Sequence, residues 1–418
     1  MNHNVSMDGG NSELKLLYNG KYKMQIPNVI AFPPENAYVQ DKDLEGFGRD
    51  KLDVKVTKHS NEEYKETIHF ALGNLTENHI ESRVSKFDVE KAKDNQLHNS
   101  ILASVTYLIL YSEKKDGVDI RHQKDLRVNL STGLPYSEWI DKENRTRLKK
   151  ELKGIHKIEF VHPWFKQNSF PTSINLIVDR VKVNIEGETT ANLLLSKKDN
   201  EFIRKNPEEL IDNIVMTVDL GAFTTEIIGK QFKAISNGEE DDRYDINSEL
   251  IVKHRTLQNI SKGVPKGIGH AMLSVISDVE NEHGASNKFS RFDIEQSLTK
   301  QGMRNGKRGY LRGTDINILV NLARHLRDLS NVIAGEIVDL LGRSGQKDKL
   351  KRVYLIGGGS KMQLVTNELK KSFKNYGYDD SLVFPVVDPN PVFANAVGYY
   401  KELIDTLEND EEESELSK

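Results

Sequence analysis

An aspartate follows an apolar run near the middle of the chain, and a glycine and two threonines come soon after it. The run from 214 to 218 predicts a buried strand that ends at Asp219. Gly221 permits a tight turn and a close approach of the backbone to a ligand, and the apolar residues beyond it indicate a second strand. Successive N–H groups in such a turn form a concave nest for phosphate oxygens. The turn residues of this hairpin are Gly221, Ala222, Phe223 and Thr224.

The carboxylate of Asp219 has two chemical uses in such a hairpin. It can bind a hydrated Mg²⁺ ion, which needs few protein carboxylates, or it can orient a water molecule. An ordinary hairpin with an Asp-Leu-Gly corner explains the same segment without any ligand. Because the segment alone does not decide between a phosphate site and a plain hairpin, other segments with the same plan are informative.

A segment near the N-terminus repeats this plan. Residues 5–8 and 14–18 are predicted to be the two strands of a hairpin, with Asp8 at the end of the first strand. Lys15 follows Asp8 by seven positions, so its ammonium could reach back to a phosphate, although a surface lysine on a strand is the alternative. The turn between the strands contains Gly9, Gly10, Asn11 and Ser12.

A third glycine turn follows a strand late in the chain. Residues 353–356 are apolar and predict a buried strand. Glycines directly after a strand allow the backbone to lie close against a ligand. The residues of this turn are Gly357, Gly358, Gly359 and Ser360.

The order of these three segments resembles the ATPase superfamily that contains actin, sugar kinases and heat-shock chaperones. The resemblance implies an α/β, actin-like fold, in which two ribonuclease-H-like domains with mixed sheets, flanked by helices, surround a nucleotide cleft. It also implies that the two hairpins bind the phosphates of ATP, with GTP left open, and that the late glycine turn packs on the adenosine. Met362 is then expected to pack on the adenine.

One further segment narrows the resemblance to the ParM branch of bacterial plasmid-segregation actins. An alternating strand that begins at Asp125 ends in Gly-Leu-Pro at residues 133–135. The stretch Tyr136-Ser137-Glu138-Trp139 follows, and then a charged helix at 141–154. Sugar kinases and chaperones do not share this combination, so the segment favours the plasmid-segregation branch.

The resemblance divides the chain into two domains. We expect actin-like domain I over 1–185, completed by the return of 396–410, and actin-like domain II over 186–395. Residues 408–418 are acidic and polar and are expected to form a disordered tail. A helix that connects the domains is expected to begin within Glu186-Gly187-Glu188-Thr189-Thr190.

The start of that connecting helix is the expected place for a catalytic carboxylate. In the family, this end of the helix faces the γ-phosphate, and a polar residue there positions the attacking water. The resemblance makes Glu186 the first choice for this role and Glu188 the second, while helix capping explains either residue equally well. Asp219 is the other expected catalytic residue. Asp8 and Asp219 are expected to act on Mg²⁺ through its water shell.

Composition excludes several kinds of site and partner. The 418 residues include no cysteine, so disulfides, zinc–thiolate sites and thiol nucleophiles are excluded. Hydrophobic residues make up 37%, no apolar run is long enough to span a bilayer, and no basic-then-apolar signal begins the sequence. These features predict a cytoplasmic protein with no membrane partner. The net charge of −4 argues against broad direct binding to nucleic acid.

The leading hypothesis is therefore an ATPase of the bacterial cytoskeleton whose hydrolysis is coupled to polymerisation. By resemblance, copies of the chain assemble into a filament that segregates plasmid DNA through a DNA-binding adaptor protein, bound at a centromere-like site. The alternative is a monomeric sugar or acid kinase of the same fold, for which we find no convincing sugar-pocket motif. A chaperone ATPase would need a peptide-binding domain after the nucleotide domains.

Overall fold

The computed structural model describes residues 2–33, 44–59, 65–76, 83–84, 89–188, 211–234, 243–247, 250–284, 289–304, 306–386 and 390–416. The chain divides into two compact units. The first unit combines residues 1–189 with residues 393–418, and the second is the continuous segment 190–392. Glu186 therefore belongs to the first unit, although the sequence assigns it to the start of domain II.

A mixed sheet forms the centre of the first unit. Its strands are β1 (His3–Gly9), β2 (Glu13–Tyr18), β3 (Tyr22–Pro27), β4 (Ile30–Ala31), β5 (Leu52–His59), β6 (Lys65–Leu72), β7 (Arg83–Val84), β8 (Asp125–Leu134), β9 (Gly154–Phe160) and β10 (Ser173–Ile185). Their order across the described sheet is β3-β2-β1-β8-β10-β9-β5-β6-β4-β7. β8 pairs in parallel with β1 on one side and with β10 on the other.

Helices cover this sheet. They are α1 (Asn95–Lys115), α2 (Tyr136–Trp139), α3 (Lys142–Leu152) and α4 (Pro163–Gln167). Asp94 begins α1, because its carboxylate accepts the N–H groups of Gln96 and Leu97. The apolar stripe of this helix, Leu97, Ile101, Val105 and Leu108, is buried. It belongs to the same apolar core as the strands, so burial of this stripe fixes the helix on the sheet.

The second unit has its own mixed sheet and its own apolar core. Its strands are β11 (Ile214–Leu220), β12 (Thr225–Ala234), β13 (Arg243–Asn247), β14 (Leu250–Thr256), β15 (Lys262–Val264), β16 (Leu350–Ile356) and β17 (Val383–Pro385). Their order is β13-β14-β12-β11-β16-β17, with β15 beside β12. The helices are α5 (Ile268–His283), α6 (Arg291–Ser297), α7 (Leu319–Arg343) and α8 (Gln363–Asn375).

The last helix, α9 (Ala394–Leu416), belongs to the first unit and packs against β1 and β8. The hydroxyl of Ser6 on β1 donates a hydrogen bond of 2.5 Å to the carbonyl of Ala396. The helix includes residues 408–416, for which the sequence predicts disorder. Glutamate is a good helix former, and the buried Tyr399 and Leu403 fix the first turns of the same helix.

Two predicted helix starts differ from the structure. Residues 186–188 form a turn with Gly187 at φ +82°, so they are not the first turn of a helix. The remainder of that predicted connecting helix, from residue 189 onwards, lies outside the described residues. Apolar residues at helical spacing also predict a long helix over 315–342, but α7 begins at Leu319. The Leu319 N–H donates to the side-chain oxygen of Asn317 at 3.0 Å.

The predicted fold class is confirmed, since each unit is a mixed sheet flanked by helices. Within the described residues, none of the helices combines the length and the apolar character needed to cross a membrane.

Close packing between β8 and α9 gives the first prediction. A Cβ added at Gly133 would overlap the hydroxyl of Tyr399 and lie 2.5 Å from its ring carbon Cζ. Gly133→Ala should therefore lower the free energy of unfolding by about 1–3 kcal/mol, the usual cost of overpacking. Urea unfolding measures this. In a Tyr399→Leu background the same substitution should cost less, and an equal cost in both backgrounds would contradict the proposed overlap.

Candidate functional site

Two acidic residues predicted from the sequence lie at the same edge of the first unit's sheet. Because β1, β8 and β10 run parallel, their carboxyl ends share that edge. Asp8 lies near the end of β1, and Glu186 directly follows β10, where its N–H donates to the Leu134 carbonyl at 2.9 Å. Their exposed fractions are only 6% and 5%. Ligands of open α/β sheets bind outside the carboxyl ends of such strands.

Lys15 faces Asp8 across the first hairpin. The two residues are direct partners in the pairing of β1 with β2. The Nζ of Lys15 lies 3.3 Å from the Oδ2 of Asp8, and both side chains are buried. The alternative of a solvated surface lysine is therefore wrong, and the structure places the ammonium beside the turn that the sequence assigns to phosphate.

Asn28 supports the turn of the first hairpin. Its side-chain amide donates to the carbonyl of Gly10 at 2.9 Å, and its backbone N–H donates to the carbonyl of Ser12 at 2.8 Å. In the part of the chain that the structure describes, the N–H groups of Gly10, Asn11 and Ser12 make no hydrogen bond. An anion nest requires backbone N–H groups that remain available to a ligand. Asn28 favours this arrangement because it binds the carbonyls of the turn.

Lys91 joins this edge, and sequence reasoning did not find it. Its ammonium forms an ion pair with the Oε1 of Glu186, and both side chains are buried. Burial lowers the pKa of the Lys91 ammonium, but the carboxylates of Glu186 and Asp8 raise it by more, so the pKa lies above the ordinary lysine range. Nothing in the sequence Glu90-Lys91-Ala92-Lys93 distinguishes this lysine from its exposed neighbour Lys93.

Glu188, the second choice for orienting water, lies in a different environment. It is half-buried in the turn that follows β10, and its N–H donates to the carbonyl of Ile185 at 3.3 Å. The pKa of the Tyr136 hydroxyl is raised first by burial and then by the charge of Glu188. Glu188 therefore lies near Tyr136 at the start of α2, whereas Glu186 pairs with Lys91.

Within the second unit, the structure brings two predicted segments together. β11 and β16 run parallel, and Asp219 lies opposite Ile356 in their register. The second hairpin and the triple-glycine turn therefore share one edge of this sheet. Gly357 has φ +80°, and a Cβ built there would overlap the Oδ1 of Asp219. Only glycine fits at this position, since both the backbone conformation and the carboxylate exclude a side chain.

The N-terminus of α5 supports the second hairpin. The N–H groups of Ile268 and Gly269 donate to the carbonyls of Gly221 and Ala222 at 3.0 and 2.6 Å. The N–H of Gly221 itself is used within the turn, where it donates to the Thr224 carbonyl at 3.0 Å. The N–H of Gly221 is therefore not available as a hydrogen-bond donor in the predicted phosphate nest. The N–H groups of Ala222 and Thr224 make no hydrogen bond within the described residues.

Phe223 directs its ring away from the turn. The ring meets His270 edge-on with centroids 5.4 Å apart, and the guanidinium of Arg291 lies 5.7 Å from the ring centroid. This aromatic side chain is thus used for packing between the hairpin and helices α5 and α6. Any contact of Phe223 with a phosphate must come from its backbone.

The triple-glycine turn is held by its own polar groups. The N–H of Gly357 donates to the carbonyl of Pro391 at 3.0 Å, and the hydroxyl of Ser360 donates to the carbonyl of Gly357 at 2.8 Å. Ser360 is buried, so its hydroxyl stabilises the turn. Met362 is half-buried and packs against the core of the second unit. Around Gly358 there is open space, because a Cβ built there meets no atom within 4 Å.

The predicted metal ligands are carboxylates without a cluster of further ligands around them. Among the described residues, no group of three or more histidine, aspartate or glutamate side chains is placed to hold a metal ion. Mg²⁺ requires only one or two carboxylates, because water and phosphate oxygens complete its shell. Asp8 and Asp219, each near the end of its own strand, are the carboxylates that the sequence predicts for such an ion.

Comparison with known proteins identifies the fold family. Residues 6–188 match the profile of the family described as actin-like proteins, N-terminal domain. Residues 6–188 are thus similar to an actin-like domain. This domain contains Asp8, Lys15, Lys91 and Glu186, so the charged edge described above lies inside it. No curated protein matches the chain in sequence.

Solved structures extend this similarity to the whole chain. A 15-stranded ParM filament from Clostridium botulinum is 19% identical, with a TM-score of 0.69 over 97% of this chain and 100% of that chain. The actin-like protein Alp7A is 16% identical, with a TM-score of 0.68 over 100% of both chains. ParM from Bacillus thuringiensis with ATP is 14% identical, with a TM-score of 0.58 over 97% of this chain and 99% of that chain. The predicted actin-like fold is thus confirmed, and the similar structures include ParM and Alp7A.

Packing beneath the glycine turn gives the second prediction. A Cβ at Gly359 would lie 2.5 Å from the Cγ1 of Ile268 and 2.9 Å from the Cβ of Leu220. Gly359→Ala should therefore destabilise the protein by about 1–3 kcal/mol and disturb the second hairpin. Gly358→Ala is the matched control, because its Cβ meets open space. Denaturant unfolding compares the two variants, and equal midpoints would contradict the close packing at Gly359.

Proposed function

We propose that this chain is an ATP-hydrolysing, actin-like protein that assembles into filaments and segregates plasmid DNA. The observation that supports this most is the fold similarity along the full chain to a ParM filament and to Alp7A. The local geometry agrees with a nucleotide function. Each unit presents an Asp-containing hairpin at the carboxyl edge of parallel strands, where phosphate ligands are bound in α/β sheets.

ATP is the proposed nucleotide because a similar fold was solved with it. In the first unit, Asp8, Lys15 and the backbone of the hairpin turn are proposed to bind phosphate oxygens. In the second unit, Asp219 and the backbone at Ala222 and Thr224 are proposed to do so. The triple-glycine turn would lie against the adenosine, where the open space at Gly358 leaves room for a ring.

Hydrolysis by such a site needs positioning and charge neutralisation more than covalent chemistry. Mg²⁺, when bound with the nucleotide, would neutralise charge on the phosphates. Asp8 and Asp219 are the residues proposed to hold its water shell. Glu186 is proposed to orient the attacking water, since its carboxylate is buried at the strand edge beside Asp8. Glu188 is the weaker choice because it lies near the start of α2.

The net charge of the chain indicates how the proposed filament would reach DNA. The net charge of −4 offers no general attraction to the DNA backbone. A plasmid would therefore be bound through a separate DNA-binding adaptor protein, and the direct partner of each subunit would be another copy of the same chain.

Light scattering tests the proposed assembly. On addition of Mg-ATP, the light scattering of the purified protein should rise within minutes of mixing. It should then decay as phosphate is released. Mg-ADP is the control and should give no lasting rise. ATP turnover with no rise over a wide range of protein concentration would overturn the filament and favour the soluble kinase or ATPase alternative.

The carboxylate of Asp219 gives a sharper prediction. Asp219→Asn should lower the rate of phosphate release by about a hundredfold or more, since a charge placed for the transition state is lost. Asparagine keeps the volume that packs against Gly357, so the fold should be retained. Asp348→Ala, at an exposed aspartate of the same unit, is the control and should have normal turnover. Near-normal turnover of Asp219→Asn would remove Asp219 from the site.

A further inference from the structure

The buried ion pair between Lys91 and Glu186 has no explanation in the sequence pattern. Both side chains are almost fully buried, with exposed fractions of 8% and 6%. Two buried charges carry a large desolvation cost, and an apolar pair of similar volume is often more stable. Stability alone therefore does not account for the pair. Its place beside Asp8, at the edge where phosphate is proposed to bind, indicates a role in the site.

The backbone of Lys91 is held from two sides. The carboxylate of Glu138 accepts the N–H groups of Lys91 and Ala92, each at 3.0 Å. The Nε2 of His98 donates to the carbonyl of Lys91 at 2.9 Å. A carbonyl can only accept, so Nε2 carries the proton. Burial, the largest influence on this imidazole, lowers the pKa of His98 to about 4, so the ring is neutral near pH 7.

The elements that supply these contacts are themselves fixed. Glu138 lies on α2, directly after β8, and Trp139 on the same helix donates its indole N–H to the carbonyl of Val183 at 3.2 Å. His98 lies in the first turns of α1, which begins at Asp94. Lys91 is therefore placed by two helices and one strand, which is far more support than a surface lysine requires.

We propose that Lys91 is a positioning residue for hydrolysis, whose ammonium holds the carboxylate of Glu186 in the orientation that directs the attacking water. Glu138 and His98 hold Lys91 in turn, so α2 and α1 determine where the carboxylate of Glu186 points. The inference deepens the proposed ATPase function and rests on it. A catalytic group that is 1 Å out of place can lose about a hundredfold in rate, so this support has a measurable consequence.

The test is a comparison of two substitutions, alone and together. Steady-state phosphate release gives kcat and KM for Mg-ATP in the wild-type protein, Lys91→Met, Glu186→Gln and the double variant. Lys91→Met should lower kcat by about ten- to a hundredfold with KM within about twofold, since orientation is lost and binding is not. In the Glu186→Gln background the same substitution should lower the residual rate no further, because Lys91 acts through Glu186.

Two further variants separate positioning from structure. Lys91→Arg keeps the charge and should recover part of the lost kcat. Lys93→Met removes an exposed lysine from the same short 3₁₀ turn and should have normal kinetics. Lys91→Met leaves a buried carboxylate unpaired and could fail to fold, which a thermal melt detects. The double variant removes both charges, so its comparison with Glu186→Gln still decides the question.

Three results would overturn the inference. An unchanged kcat in Lys91→Met would mean that the orientation of the Glu186 carboxylate does not depend on Lys91. An equal loss in the wild-type and Glu186→Gln backgrounds would mean that Lys91 acts independently of Glu186. No ATP turnover in the wild-type protein would instead remove the proposed function, and the inference with it, so the two failures are distinct.

Discussion

Parallel pairing of strands is the constraint on which both candidate sites depend. In the first unit β8 lies between β1 and β10, so the residues after these strands, Asp8 and Glu186, reach one edge. In the second unit the pairing of β11 with β16 brings Asp219 to Gly357. Antiparallel pairing would send these residues to opposite ends of the strands. Segments far apart in sequence become neighbours because hydrogen bonds between parallel strands leave their carboxyl ends side by side.

The charged edge of the first unit illustrates how such a site is stabilised. Lys15 pairs with Asp8 and Lys91 pairs with Glu186, so each buried charge has an opposite charge nearby. The pKa of Lys91 is high for this reason, despite its burial. A polyanionic ligand that approaches the first hairpin would meet the buried ammonium of Lys15, which is already paired with Asp8. The pair of Lys91 with Glu186 would stay intact beside it.

Local sequence signals predicted the strands and hairpins well, because each depends on neighbours in the chain. The hairpin of Asp8 and Lys15, the strand before Gly357 and the stripe on α1 all follow from periodicity and turn chemistry. The partner of Glu186 was not predictable, since Lys91 is 95 positions away and carries no local signal. The acidic residues and threonines around Gly187 predict a helix start. In the structure Gly187 has a positive φ, and the strand ends there in a turn. The N–H of Gly221 closes its own turn, which local sequence does not indicate, so the phosphate-binding role of this turn stays a prediction.

The hydrogen bond between Ser6 and Ala396 joins residues at opposite ends of the chain. The second unit is one uninterrupted segment, whereas the first unit needs α9 to cover β1 and β8. During synthesis, the second unit can therefore fold while α9, which the first unit needs, has not yet emerged from the ribosome. The charged edge is part of that late-finished unit. A nascent chain would consequently complete the fold around its charged edge only after α9 has been synthesised.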